Sequence, residues 1–285
     1  MSGDADLDAL KQWIGRSQTA DDVAGADRVR AMAATLDKER APAFGDVLPP
    51  GWHWMFFNPA ARASELGPDG HPARGGFLPP VPLPRRMWAG GRLMFHRPLH
   101  VGERLRRESE IGDVTVKRGK TGTLVFVLVR HRVIGENGLA LDEEHDIVYR
   151  PAPLVGAASA APERAPGGAP WRRVIHPDPV LLFRYSALTF NGHRIHYDHA
   201  YVTKVEGYPG LIVHGPLIAT LLLDLATTHV PSERLARFAF RAVSPLFDTT
   251  PFSLNGAPAK DGSSARLWAA NDDGALAMTA EAALR

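Results

Sequence analysis

Apolar positions along the chain follow two periodicities, helical and then strand-like, and that order occurs twice. In 5–37, Leu7, Leu10, Trp13 and Ile14 recur at helical spacing, and Val29, Met32, Ala33 and Leu36 do so again. This predicts two helices, with 17–22 supplying cap and turn residues between them. Residues 42–85 are rich in Pro and Gly and carry the aromatic run GWHWMFF at 51–57. They predict a long irregular segment, either a packed connector or a wrap lining a ligand channel or partner surface. From 102 to 150 the pattern becomes that of strands. Candidates at 104–117, 123–134 and 139–150 are joined by the turns RGKTG (118–122) and GENG (135–138), which makes an antiparallel meander. The middle strand is apolar almost continuously over 124–129, which predicts burial on both faces.

Residues 151–170, PAPLVGAASAAPERAPGGAP, have linker composition. The order then repeats. Residues 180–190 are apolar and read as helical or mixed, 216–229 read as a strong helix with Pro216 in its first turn, and strand candidates follow at 235–244, 249–256, 264–271 and 274–284. The halves share no residue-level identity, so the repeat is architectural. A long apolar helix followed by a curved antiparallel sheet predicts a sheet wrapped around a helix. Two such units predict an α+β double hotdog, divided into 1–150, a linker at 151–170, and 171–285.

Composition refines this by exclusion. Among 285 residues, 33 basic and 31 acidic side chains leave a net charge of +2. The densest basic cluster is Arg104, Arg106 and Arg107, so no nucleic-acid partner is expected. The absence of cysteine removes disulfides, thiolate metal sites and Cys nucleophiles. The start, MSGDADLDALKQW, is acidic and polar, unlike a signal or transit peptide. The longest apolar run, around 217–226, is broken by Thr220 and Asp224 and is too short to span a bilayer. The expectation is a soluble cytoplasmic protein that does not enter a membrane.

The densest polar cluster is FRYSALTFNGHRIHYD (183–198), which holds Arg184, Tyr185, Ser186, Thr189, Asn191, His193, Arg194, His196, Tyr197 and Asp198, with Gly192 at a turn. A second element, PGLIVHGPL (209–217), puts His214, Gly215 and Pro216 at the start of the apolar helix. The Gly215 and Leu217 N–H groups then fall in a first turn, where they lack helical partners and the helix dipole favours negative charge. The Gly215 N–H is therefore a candidate donor to a carbonyl that becomes enolate-like. A neighbouring imidazole can move a proton to or from carbon or water. His193, His196, His199 and Asp198 are close enough in sequence to raise a metal reading, but no HExxH arrangement exists and no metal is expected. Ser186 and Ser244 lack a GxSxG context, and no GxGxxG or P-loop occurs.

FNGHRIHYDHAYV followed by PGLIVHGPL resembles the MaoC-like, (R)-specific enoyl-CoA hydratase superfamily. The resemblance is nearest to the subgroup of hydroxyacyl-thioester dehydratase type 2 and the mesaconyl-C4-CoA and itaconyl-CoA hydratases. Trp13-Ile14-Gly15-Arg16 and the PPGWHWMFF region resemble that subgroup too. The resemblance implies a double hotdog whose C-terminal half is catalytic. The N-terminal half would shape the acyl pocket. The reaction would be reversible syn addition of water to an α,β-unsaturated acyl thioester, without metal or redox cofactor. It implies Asn191, His193, His196 and Gly215 as catalytic residues. Tyr185 and His214 are expected to line the substrate site, His214 also anchoring the loop, and Arg184 and Arg194, near the cluster in sequence, to meet the CoA. The usual pattern has Asp where this chain has Asn191, and an amide cannot act as a base. Either Asn191 orients the water and His196 alone moves protons, or His193 joins as partner. The expected partners are an acyl-CoA and further copies of the chain. A C4-branched dicarboxylyl-CoA, mesaconyl or itaconyl, is the first expectation, and dehydration of straight-chain 3-hydroxyacyl thioesters the second. A non-catalytic thioester binder and a thioesterase are the readings from other classes.

Overall fold

Ten strands form one antiparallel sheet in a computed structural model of the chain, which describes residues 7–119, 122–151 and 161–285. In chain order these are β1 (Ser17–Val23), β2 (Arg85–Phe95), β3 (Arg104–Gly119), β4 (Gly122–Gly135), β5 (Gly138–Arg150), β6 (Trp171–Ile175), β7 (Leu235–Ala242), β8 (Phe252–Pro258), β9 (Ser264–Asn271) and β10 (Leu276–Leu284). The spatial order is β1-β3-β4-β5-β2-β7-β10-β9-β8-β6. Counted from either edge, the halves have the same order, and they meet where β2 pairs with β7. The expected double hotdog therefore has its two sheets fused into one. The seam needs Gly90, because a Cβ there would lie 2.6 Å from the Phe240 carbonyl oxygen of β7.

Four helices lie with this sheet: α1 (Ala26–Thr35), α2 (Pro179–Leu188), α3 (His199–Lys204) and α4 (Gly215–His229). α4 is mostly apolar, with Leu217, Ile218, Ala219, Leu221, Leu222, Leu223, Leu225 and Ala226 buried and a narrow polar stripe, Thr220, Asp224, Thr227 and Thr228, on which Asp224 pairs with Lys38 and Arg173. It packs against β6 to β10. A helix whose polar stripe is this narrow is stable only when its other sides are enclosed, and burying each large side chain contributes about 1.5–3 kcal/mol. The N-terminal half has no such helix. Residues 36–84 form only two single 3-10 turns, Trp52–Met55 and Ala63–Glu65, and Trp52, Met55, Phe56 and Phe57 enter the core instead. The irregular segment predicted over 42–85 is thus a packed one along its aromatic run.

Several expectations change. Residues 17–22 are a strand, not a turn between two helices, and 7–13 form a 3-10 helix. β1 is an edge strand whose ties are polar: Asp21 bonds Arg106 across the pair, and an Asp22 carboxylate oxygen accepts the Phe57 N–H. Its sequence carries no alternation to read. β4 is buried on one face through Val125, Val127 and Val129, whereas Leu124, Phe126 and Leu128 are half-buried. Of the expected linker, 152–160 lie outside the described residues, as do 1–6 and, in the turn at 118–122, Lys120 and Thr121. Residues after 160 are tied down: the Ala165 N–H bonds the Gly274 carbonyl, and Ala165 and Ala169 pack on Trp268, Ala270 and Leu276. Among the described residues, no helix is long and apolar enough to cross a membrane.

Candidate active site

Asp178 caps α2 by accepting the Leu181 N–H, and the helix ends at Thr189. The chain then turns sharply. Phe190 has φ 49°, the Asn191 N–H bonds the Ser186 carbonyl, and the Asn191 Oδ1 accepts the His193 N–H at 3.0 Å. This side-chain turn explains the Asn at this position, since its oxygen stabilises the loop that carries the histidines. Among the described residues the Asn191 NH2 group makes no hydrogen bond, so a donor remains for a ligand.

His196 is buried in the turn that follows, and its Nδ1 lies 2.7 Å from the Ile212 carbonyl oxygen. Nδ1 must donate there, which leaves Nε2 as the unprotonated nitrogen. The Ile212 N–H bonds the Ile195 carbonyl in return, so the histidine loop and the segment entering α4 are laced together. Two residues on, His214 stacks on His196 with ring centroids 3.7 Å apart, and its Nε2 meets the Ser186 Oγ at 2.8 Å. His214 is also the N-cap of α4. The first helical bond runs from Ile218 to His214, so the Gly215 N–H precedes the hydrogen-bonded ladder.

These imidazoles are neutral. Burial, and then the neighbouring His193, lower His196 to about 3, against the opposing pull of the Ile212 carbonyl. Burial and the Arg86 charge lower His193 to about 4. Burial, with His196 and His193 beside it, holds His214 well below the usual imidazole range.

The sequence-based site is therefore gathered in part. Asn191, His193, His196, His214 and Gly215 converge. Tyr185 stands edge-on to His214 at 4.9 Å and is fully buried, with its hydroxyl unpartnered. The two arginines lie elsewhere. Arg194 donates to Asp198 and to the Pro68 carbonyl and lies over the Tyr201 ring, and Arg184 is exposed on α2. His199 is exposed and Asp198 caps α3, so the four-residue metal grouping raised from sequence does not form.

Sequence reasoning missed the contribution of the N-terminal half. The loop at 67–73 lies on the histidine loop: the Arg194 N–H bonds the Asp69 carbonyl, and a Cβ on Gly70 would come within 1.9 Å of the Gly192 carbonyl oxygen. This brings His71 against His193, with ring centroids 4.2 Å apart. Asp69, His71 and His193 place possible ligand atoms within 4.8 Å of one another. The Arg86 and Arg74 charges beside His71 oppose a divalent cation there and favour an anion. No local pattern announces His71, although its Gly-rich surroundings mark a close backbone approach.

The fold and its comparisons agree. A solved structure described as a MaoC-like dehydratase matches with a TM-score of 0.71 and 14% identity, over 98% of this chain and 99% of that one. A Mycobacterium tuberculosis protein described as having a double hotdog fold matches with a TM-score of 0.58 and 16% identity, over 98% of each chain. The architecture is thus a MaoC-like double hotdog. A family model, hydroxyacyl-thioester dehydratase type 2, matches residues 51–248, and the chain belongs to that family. Mesaconyl-C(4)-CoA hydratase of Chloroflexus aurantiacus is 47% identical over 269 residues, 94% of this chain and 95% of that protein. Such hydratases and dehydratases are hydro-lyases, the enzyme class expected from sequence.

Proposed function

We propose that the protein hydrates an α,β-unsaturated acyl-CoA reversibly, and that its substrate is a C4-branched dicarboxylyl thioester of the mesaconyl-C4-CoA type. The observation that carries the mechanism is the buried His196, whose Nδ1 is committed to the Ile212 carbonyl, which leaves Nε2 unprotonated, and whose ring stacks on His214, the N-cap of α4. The likeness to the Chloroflexus aurantiacus hydratase supports the substrate class.

The steps follow from the groups present. The thioester oxygen accepts from the Gly215 N–H, and the helix start stabilises the negative charge that develops on it. The Asn191 NH2 donates to the attacking water. The water oxygen bonds to Cβ, His196 Nε2 takes its proton, and the double-bond electrons move toward the thioester oxygen. The imidazolium then returns that proton to Cα as the carbonyl re-forms. The product gains OH at Cβ and H at Cα and keeps its thioester. Asn191 Oδ1 is occupied by the turn, which favours His196 as the single proton carrier. Ser186 anchors His214, and His214 forms the floor on which His196 stacks.

The same reading takes the protein to act in the cytoplasm as a homo-oligomer, with the edge strands β1 and β6 as sites for further pairing. Loss of the enoyl-thioester absorbance with mesaconyl-C4-CoA, itaconyl-CoA, crotonyl-CoA and a medium-chain enoyl-CoA tests the assignment. Turnover concentrated on the dicarboxylyl substrates is the expected result. Preference for the straight chains would move the assignment to 3-hydroxyacyl-thioester dehydration, binding without turnover would make this a thioester binder, and release of free CoA thiol would make it a thioesterase.

A further inference from the structure

Four arginines other than Arg184 surround the catalytic loop, and three are occupied. Arg194 holds Asp198 and the Pro68 carbonyl. Arg74 donates to the carbonyls of Val81, Leu83 and Pro84. Arg85 pairs with Glu206 at 2.9 Å and bonds the Tyr208 hydroxyl at 3.0 Å. Arg86 is different. It is half-buried, and among the described residues no carboxylate lies within 4.0 Å of it. Asp69, which shares the His71–His193 cluster, does not pair with it either.

Its position is set by β2. Arg86 lies opposite Tyr149 of β5, which is fully buried. Strand alternation puts Arg86 on the same face as Trp88, the inner face, where Trp88 packs on Trp54 and Phe240. The Trp88 carbonyl in turn faces Gly215, 3.8 Å from where a Cβ would stand. Two residues span about 7 Å of strand, so the Arg86 side chain starts within its own length of the α4 N-terminus. The Tyr149 hydroxyl is buried and has no hydrogen-bond partner. A guanidinium without a carboxylate and a buried hydroxyl close enough to feel its charge thus stand side by side, next to neutral imidazoles. Each is costly without a partner, and a bound anion satisfies both.

We propose that Arg86, with the Tyr149 hydroxyl, binds the second carboxylate of the substrate and selects dicarboxylyl over uncharged enoyl thioesters. The inference rests on the substrate class argued above. In a mesaconyl-C4 thioester this carboxylate is bonded to Cβ, the carbon that receives water. A group that grips it must therefore lie beside the histidines that handle the water, as Arg86 does beside His71 and His193. The carboxylate also brings a negative charge to a pocket of neutral imidazoles, which favours the imidazolium formed during hydration.

The test is the ratio of kcat/KM for mesaconyl-C4-CoA to that for crotonyl-CoA, which lacks the carboxylate. Arg86→Gln is expected to lower the ratio about a hundredfold, Arg86→Lys less, and Tyr149→Phe about tenfold. An impaired scaffold or a lost CoA contact lowers both rates together and leaves the ratio unchanged, and that result in Arg86→Gln would overturn the proposal. Should that variant fail to fold, Tyr149→Phe decides by the same ratio. If the wild-type protein itself shows no preference for the dicarboxylyl substrate, the functional reading fails and the clamp falls with it. A wild-type preference that survives both substitutions sinks the clamp alone.

Discussion

The two halves of the sheet share a strand order and differ in how they hold their buried histidines. In the N-terminal half a fully buried carboxylate does it. Glu143 on β5 accepts from the Trp54 indole at 2.6 Å and meets His53 at 3.0 Å and His145 at 2.6 Å. Burial alone would raise this carboxyl, but the charges and hydrogen bonds of the two imidazoles hold it well below the usual range. His131 joins the group by ring contact with His145, centroids 4.5 Å apart, and its Nδ1 meets the Ser109 hydroxyl at 2.8 Å. In the C-terminal half no carboxylate pairs with His193, His196 or His214 among the described residues, and their partners are a backbone carbonyl, a serine hydroxyl and one another. A carboxylate fixes an imidazole and adds cohesion. Neutral partners leave one nitrogen of His196 free to accept a proton. The same fold thus holds one group of histidines through a charge and the other through neutral partners, the side on which proton transfer is proposed, and the difference lies in side-chain electrostatics.

The largest expected contrast is kinetic. His196→Ala should lower hydration by about a thousandfold or more because it removes the proton carrier, with a modest fall in melting temperature from the lost bond to the Ile212 carbonyl. His53→Ala should do the reverse and lower the melting temperature far more than kcat. Equal loss of activity in the two variants would erase the proposed division of labour.

Glu143→Gln probes the cohesive side. It leaves two histidines and an indole around a neutral amide, and about 3 kcal/mol of stability should be lost in denaturant unfolding. A change under 1 kcal/mol would show that the cluster is not a stability element.

Acid should separate the halves by observable. With folded values of about 4 for His193 and about 3 for His196, the unfolded chain binds more protons as pH falls through the ordinary imidazole range. Stability is therefore full above that range and is lost on acidification, by about 2 kcal/mol per imidazole between pH 8 and pH 5. Glu143 acts in the same direction at lower pH. Because His196 is already neutral, kcat/KM should stay flat from pH 8 down to about 5 while the melting temperature falls. An acid limb near pH 6.5 would contradict the buried, neutral His196.

The smallest effect is expected at Asn191. Asn191→Ala removes both the turn bond to His193 and the donor to water, and should cost about tenfold in kcat with about 1 kcal/mol in stability. Asn191→Asp retains the turn acceptor, so its stability should match the wild type while its rate reports the lost NH2 donor.

Much of the C-terminal half was legible in the sequence because its signals are local. A run of apolar residues around Leu217 to Leu225 can only be an enclosed helix, and strands ending in turns predict the meander. Asn191, Gly192 and His193 form a turn whose hydrogen bonds span only a few residues. The resemblance of 183–217 to its family then supplied roles that spacing alone does not give.

What only the tertiary structure decided depends on pairing between distant segments. β1 and β6 carry no alternation, and they are strands because an edge of the sheet accepts their backbones. Arg194 reads as a substrate contact in sequence, yet Asp198 and Pro68 occupy it. Arg86 stands in no motif of the sequence, and the register of β2 against β5 sets it beside Tyr149. His71 lies more than a hundred residues before His193 and meets it only because Gly70 lets two backbones touch. Local hydrogen bonds and periodicity are written in neighbouring residues. Which side chains face one another across a sheet is set by register and closure, which no short stretch of sequence contains.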